Sequence, residues 1–249
     1  MDLGRLSRPE SLSEMALREL RNAIIDGRLK LGDQISEIRL SRMLGISKTP
    51  VREALQELRR EGLVQIDPQR GTSIFRIEDT EIDQIADFRR MLEVAAARRI
   101  LAGERGEVCR RMREVVDGMH EALARNDIAA YRKLDADFHL VLIENSGNSY
   151  IEQAYGLIAA KIGALRTRAH DDRHVVDSSL DTHTQLCEML EKGDEEAFCA
   201  LLAQHIRNTG RDYRAWLARQ SAEQPAEKSL RSPADASDAD DGAERKASA

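Results

Sequence analysis

Four side chains in the second half of the sequence have the types and the spacing of metal ligands. Asp135 and His139 are four residues apart, so one helix would present both on the same face. His183 and His205 lie on the last two helices that the sequence predicts. If a helical bundle brings the four together, one carboxylate and three imidazoles form a ligand set suited to Zn²⁺, Ni²⁺ or Mn²⁺.

A structural role is the alternative for each of these side chains. A single histidine on a helix is usually a surface or structural residue, and distant histidines do not by themselves prove convergence. Cys187 is four residues from His183 and would compete with it as a ligand. The other histidines match no ligand pattern, and we expect them to be surface or structural residues: His120, His170 and His174.

The candidate ligands fall in a part of the chain where helical periodicity is continuous. After Ile77 the strand signals stop, and glycines separate successive amphipathic segments. Consecutive helices with short connections form bundles, so we expect an antiparallel bundle of six to seven helices. The predicted helices are 79–102, 106–125, 127–145, 148–170, 175–192 and 194–218.

The first 77 residues have a different pattern. Two helices and a short one between them are followed by two β-leaning runs around a Pro-Gly turn. This order predicts a winged helix-turn-helix, from helices at 12–26, 36–44 and 47–60 and a hairpin at 63–75. The chain is thus predicted to be mainly α, with domains at 1–77 and 78–219. Residues 220–249 have few apolar side chains, and we expect a disordered tail there.

Charge is distributed unevenly along the chain. Residues 1–76 carry a net charge of +3 and the remainder −9, within a total of −6. Lys48 and Arg52 lie in the first turns of the third predicted helix, where the helix dipole disfavours cations. A broken local rule often marks function, and the major groove of DNA would favour such cations. The alternative is an ordinary solvated helix face.

The remaining composition indicates an intracellular protein. Three scattered cysteines are too few for a disulfide framework. No apolar run approaches the roughly 20 residues that cross a bilayer, and the first ten residues contain no signal-peptide core. We expect a location in the cytoplasm and no membrane partner.

The stretch 44–55, Leu-Gly-Ile-Ser-Lys-Thr-Pro-Val-Arg-Glu-Ala-Leu, closely resembles the GntR family of bacterial regulators. The resemblance extends over most of residues 11–75. Lys48 departs from the arginine common in the family, and Leu31 from the usual proline. The resemblance implies a double-stranded DNA operator as partner, with four contacting side chains and a glycine at the wing tip: Arg39, Lys48, Thr49, Arg52 and Gly71.

Residues 80–218 resemble the FCD ligand-binding domain of the FadR-type branch of that family. The resemblance rests on Leu134–His139, on Ser146-Gly147-Asn148 and on the order of the later histidines. It implies that the four candidate ligands named above hold a metal. The stretch Arg89–Glu93 resembles that domain's Arg-x-x-Leu-Glu pattern, which implies that Arg89 pairs with an effector's carboxylate. A surface ion pair between Arg89 and Glu93 is the alternative.

These observations predict a dimeric transcriptional regulator and not an enzyme. A small carboxylate is expected to control the affinity of this regulator for its operator. A metal-dependent hydrolase is the first rival, but Asp137 is the only carboxylate beside the ligand motif, and no nucleophile elbow or P-loop occurs. A sensor of the metal itself is the second rival. Arg89 favours an organic anion instead, because a cation sensor has no use for a pocket arginine.

Overall fold

The computed structural model describes residues 10–223. The predicted disordered tail lies outside the described residues from residue 224 onward. Its first four residues, 220–223, are helical, so the prediction of disorder is wrong for them. Because adding a residue to an existing helix costs far less than starting one, the last helix continues past the end of its apolar pattern.

The N-terminal part, which we call the head, contains three helices and a small sheet. The helices are α1 (Leu12–Ile25), α2 (Glu37–Leu44) and α3 (Lys48–Arg60), and the strands are β1 (Gln34–Ile35), β2 (Val64–Asp67) and β3 (Gly71–Ile74). The strands are antiparallel in the order β1-β3-β2, with Val64 opposite Ile74 and Gln34 opposite Ser73. Strand β1 was not predicted, because two residues are too few to show alternation.

The short helix α2 begins and ends at the residues that the sequence predicts. The Ser36 hydroxyl accepts a hydrogen bond from the Arg39 backbone N–H, and Gly45 ends α2 with a left-handed backbone. Helix α3 buries Val51, Ala54, Leu55 and Leu58 against α1. The apolar face of α3 therefore points inward, and its polar face is left on the surface.

Six helices follow the head and form the part that we call the bundle. They are α4 (Asp79–Leu101), α5 (Gly106–Ala124), α6 (Ile128–Glu144), α7 (Ser149–Ala169), α8 (Arg173–Lys192) and α9 (Glu195–Glu223). Helix α4 packs along α9, and α5 packs between α6 and α8. The predicted fold class, a winged helix-turn-helix followed by a helical bundle, is confirmed. Among the described helices, none is both long and apolar enough to cross a membrane.

The head and the bundle share one hydrophobic core. Residues of α1 and α7 lie in the same buried cluster, including Ile24, Ile162 and Leu165. A Cβ atom built on Gly163 would lie 3.3 Å from Cγ2 of Ile25, so α7 approaches α1 closely at this point. Helix α7 is therefore packed directly on the first helix of the head.

Candidate metal centre and nucleic-acid interface

Three of the four predicted metal ligands converge inside the bundle. His139 on α6, His183 on α8 and His205 on α9 are all buried, and we call them the histidine cluster. Their candidate ligand nitrogens lie within 4.8 Å of one another. Residues 66 positions apart in the sequence thus form one site, because the three helices share a core.

The hydrogen bonds of the cluster leave ring nitrogens available to a metal ion. Nδ1 of His139 lies 2.8 Å from Oε2 of Glu93, and because an ionised carboxylate can only accept, Nδ1 carries the proton. Nε2 of His139, Nε2 of His205 and both nitrogens of His183 have no hydrogen-bond partner among the described residues. Unpartnered nitrogens in a buried cluster cost free energy, whereas a divalent ion would use one from each ring. The residues present therefore fit a metal.

Burial keeps these rings in the form that binds a metal. It lowers the pKa of His183 to about 3 and lowers the pKa values of His139 and His205 as well. Neutral imidazole is the ligand species. The three rings therefore present free lone pairs without first having to lose a proton at neutral pH.

The fourth predicted ligand, Asp135, lies beside the cluster and already has partners. One carboxylate oxygen pairs with Nε of Arg166, and the other accepts from the Ser179 hydroxyl at 3.3 Å. That second oxygen is 3.8 Å from Nδ1 of His183. Burial alone would raise the pKa of Asp135, but the Arg166 charge and the neighbouring imidazoles hold it well below the usual value. Asp135 is thus an ionised carboxylate at the edge of the cluster.

Arg89 enters the same region from α4. It is 2% exposed, and its Nε donates to Oε1 of Glu93 at 2.6 Å, while its Nη2 has no partner among the described residues. Arg89 and Glu93 do form an ion pair, but both side chains are buried. The alternative of a surface ion pair is therefore wrong about its location. Burial would raise the pKa of Glu93, but the charge of Arg89 and the contact with His139, including its hydrogen bond, lower it to about 2. The carboxylate of Glu93 thus contacts both Arg89 and the candidate metal ligand His139.

Sequence reasoning missed Arg166 and considered Glu93 only as the partner of Arg89 in a surface ion pair. A signal for Arg166 exists, because it falls in the buried stripe of α7 with Ile162, Leu165 and Ala169 at helical spacing. An arginine in such a stripe needs a buried partner, which here is Asp135. Of the histidines assigned to other roles, His170 is buried with its ring edge-on to that of Tyr131, while His120 and His174 are exposed.

The predicted DNA contacts all lie on the surface of the head. Arg39, Lys48, Thr49 and Arg52 are exposed at the N-terminal ends of α2 and α3. Arg52 makes two hydrogen bonds to Glu37, of 2.9 and 2.8 Å, which hold its guanidinium beside the start of α2. The hydrogen bonds of Arg52 and the charge of Lys48 lower the pKa of Glu37, so Arg52 and Lys48 both lie near this carboxylate at the start of α2.

The wing is built from a tight turn between β2 and β3. Asp67 accepts hydrogen bonds from the backbone N–H groups of Gln69 and Arg70, and Gly71 follows with φ +82°. Gly71 thus lies at the turn, where the resemblance places the wing tip. Arg70 is exposed beside it and was not singled out from the sequence.

Comparison with protein families accounts for both parts of the chain. Residues 12–74 match the model of the bacterial regulatory proteins of the gntR family, and residues 84–208, half of the chain, match the FCD domain. The chain belongs to the GntR family. It is a DNA-binding transcriptional regulator of that family, with an FCD domain.

Relatives of this GntR-family regulator are transcriptional regulators and not enzymes. An uncharacterized HTH-type regulator from the TAR-I ttuE-ttuC' intergenic region of Agrobacterium vitis is 37% identical over 51% of this chain and 77% of its own length. The HTH-type transcriptional repressor RspR of Escherichia coli is 24% identical over 84% of this chain and 92% of its own. A solved GntR regulator from Rhodococcus sp. RHA1 has the same fold, with a TM-score of 0.72 and 23% identity over 83% of this chain and 99% of that one.

Proposed function

We propose that a small carboxylate effector, bound at a divalent metal in the bundle, controls the operator affinity of this regulator. In this proposal residues 1–77 bind DNA and residues 78–219 bind the effector, in a protein that acts in the cytoplasm. The observation that carries it is the convergence of unpartnered imidazole nitrogens beside the unpartnered Nη2 of Arg89.

The histidine cluster and Asp135 are the proposed ligands for Zn²⁺, Ni²⁺ or Mn²⁺. Glu93 fixes the ring of His139, as a carboxylate behind a ligating histidine does in many metal sites. Arg166 would hold Asp135 in the same manner. When bound, the metal supplies a positive centre for a carboxylate oxygen of the effector. We propose a binding role only for the metal, because the carboxylates beside the cluster, Glu93 and Asp135, are already paired with Arg89 and Arg166.

Arg89 is the proposed second contact of the effector's carboxylate. A buried anion requires charge compensation, and burying it unpaired is prohibitively unfavourable. The guanidinium of Arg89 stays aligned by Glu93 through Nε and offers Nη2 to the effector. The carboxylate would thus lie between an arginine on α4 and a metal held by α6, α8 and α9.

On DNA, we propose that Arg39, Lys48, Thr49 and Arg52 contact the operator, with Gly71 at the wing tip. We further propose a homodimer, because two heads would match half-sites about one helical turn, roughly 34 Å, apart. A small change in the placement of the heads would then weaken both contacts together. By thermodynamic linkage, the effector and the operator must alter each other's affinity by the same factor.

Native mass spectrometry of the purified full-length chain tests the proposal in one experiment. We expect twice the chain mass, one divalent metal per chain and, in a fraction of molecules, the added mass of a small acid. A bound metal with no added mass when carboxylates are supplied would favour the rival, a sensor of the metal itself. A chain that binds no divalent metal after chelation and reloading would contradict the proposal.

A further inference from the structure

Two buried arginines and one phenol offer unused hydrogen-bond donors around the histidine cluster. Nη2 of Arg89, Nη2 of Arg166 and the hydroxyl of Tyr213 have no partner among the described residues, although all three side chains are at least 95% buried. They come from α4, α7 and α9. Burial raises the pKa of Tyr213 and the charges of Arg166 and Arg89 oppose that rise, so Tyr213 lies near both guanidinium groups. A single carboxylate between the metal and Arg89 would leave the donors of Arg166 and Tyr213 unused.

The charges in this region also exceed what one carboxylate compensates. The charges of Arg89 and Arg166 are balanced by those of Glu93 and Asp135, which are paired with them. Imidazoles bind a metal as neutral rings, so a divalent ion leaves the site with two uncompensated positive charges. Because uncompensated buried charge is strongly unfavourable, a ligand with two negative charges suits the site better than one with a single charge.

We infer that the effector is a dicarboxylate, with one carboxylate at the metal and Arg89 and the other at Arg166 and Tyr213. This inference rests on the proposed function, since it assumes the metal and the effector. Arg166 can serve both partners, because its Nε holds Asp135 while Nη2 is left for the ligand. The second carboxylate would then accept hydrogen bonds from the planar guanidinium of Arg166 and from the hydroxyl of Tyr213.

Binding of matched acids to the metal-loaded, full-length protein tests this inference. Isothermal titration would compare saturated dicarboxylates of three to six carbons with the monocarboxylate of the same carbon number. We expect at least one dicarboxylate to bind tenfold or more tightly than its monocarboxylate. Equal affinities in every pair would overturn the inference and leave the proposed carboxylate effector intact. Failure of both classes to bind, with the metal present, would overturn both.

Two variants assign the second carboxylate to its partners. Tyr213→Phe removes one hydroxyl, and Arg166→Lys keeps the charge beside Asp135 but removes the planar fork. Tyr213→Phe should reduce the affinity for the best dicarboxylate about tenfold and leave the affinity for its monocarboxylate unchanged. Arg166→Lys also alters the partner of Asp135, so it should lower the affinity for both acids, and that for the dicarboxylate by about tenfold more. Tyr150→Phe, at an exposed tyrosine on α7, is the control and should change neither. Metal content and thermal unfolding, measured for each variant, show that it is folded and loaded. An unchanged dicarboxylate preference in both Tyr213→Phe and Arg166→Lys would overturn the assignment.

Discussion

At the scale of single residues, Glu93 connects the two halves of the candidate site. Its carboxylate is fully buried and contacts Arg89 through one oxygen and His139 through the other. The same group thus aligns the guanidinium proposed to hold the effector and the imidazole proposed to hold the metal. Removing one member of a buried ion pair leaves an uncompensated charge, which costs about 3–5 kcal/mol. In the proposed function, Glu93 would therefore couple metal binding to effector binding.

We predict that Glu93→Gln weakens both metal binding and folding. The amide keeps the size of the side chain but removes the charge that pairs with Arg89 and orients His139. Loss of such a partner behind a metal ligand lowers metal affinity by about 10–100-fold. Competition with a chelator measures this affinity, and thermal unfolding measures the stability. Glu107→Gln, at an exposed carboxylate paired with Arg110 on α5, is the control. Metal affinity equal to that of wild type would show that Glu93 does not orient the ligand.

A second prediction at this scale concerns the DNA surface. Arg52→Ala should abolish specific operator binding while the protein stays folded, since Arg52 is exposed on α3. Loss of a good base contact costs about 1–3 kcal/mol at each half-site. Gel-shift titration on the natural operator measures the effect, with Arg110→Ala on the surface of α5 as a control for the lost charge. An operator affinity equal to that of wild type would show that α3 does not read the bases.

At the scale of elements, α7 is the helix that contacts both the candidate site and the head. Arg166 pairs with Asp135 inside the bundle, and Arg168, two residues later, is within 3.4 Å of the backbone oxygens of Ile24 and Leu29. The ring of Trp216 on α9 lies 5.9 Å from the same guanidinium. A shift of α7 upon effector binding would therefore reach the end of α1 without any intermediate element.

We predict that Arg168→Met weakens the coupling between effector and operator. Methionine fills much of the same space but cannot donate to the two carbonyl oxygens, so α7 and the head lose their polar connection. Metal content and effector affinity should stay at wild-type levels, while the effect of the best-binding dicarboxylate on operator affinity becomes smaller. Fluorescence anisotropy with labelled operator, with and without the acid, measures this ratio. Arg173→Met, at an exposed position on α8, should retain the full effect. A wild-type ratio in Arg168→Met would exclude this connection as the route of coupling.

Helix periodicity and caps were enough to predict most of the elements. Ser36, Gly45 and Gly193 mark helix ends in the sequence, and the structure ends or begins helices there. Strand β1 could not be predicted, since it forms only because β3 offers it an edge. In the site, histidine types and order predicted the cluster, but the partners of Arg89 and Asp135 depend on which helix faces are buried. Those faces are set by packing between helices far apart in the sequence.

At the scale of the whole molecule, a basic head is joined to an acidic bundle through one continuous core. The head carries +3 and the rest of the chain −9, so DNA is attracted to one end. Buried residues of α1 and α7 belong to the same cluster, so the two parts are packed directly against each other. In the proposed function, this packing would let an effector bound within the bundle alter operator binding without touching DNA. The proposed control by an effector depends on the histidine cluster being a metal site.

The metal content of three proteins tests that central claim most directly. Wild type, His183→Ala and His174→Ala would be stripped with a chelator, reloaded with Zn²⁺, Ni²⁺ or Mn²⁺ and analysed by elemental mass spectrometry. His174 is exposed on the same helix, nine residues before His183, and therefore controls for loss of a histidine from α8. We predict one tightly bound ion per chain in wild type and in His174→Ala, and almost none in His183→Ala, which should still bind the operator without effector. Full occupancy in His183→Ala, or none in wild type, would contradict the account.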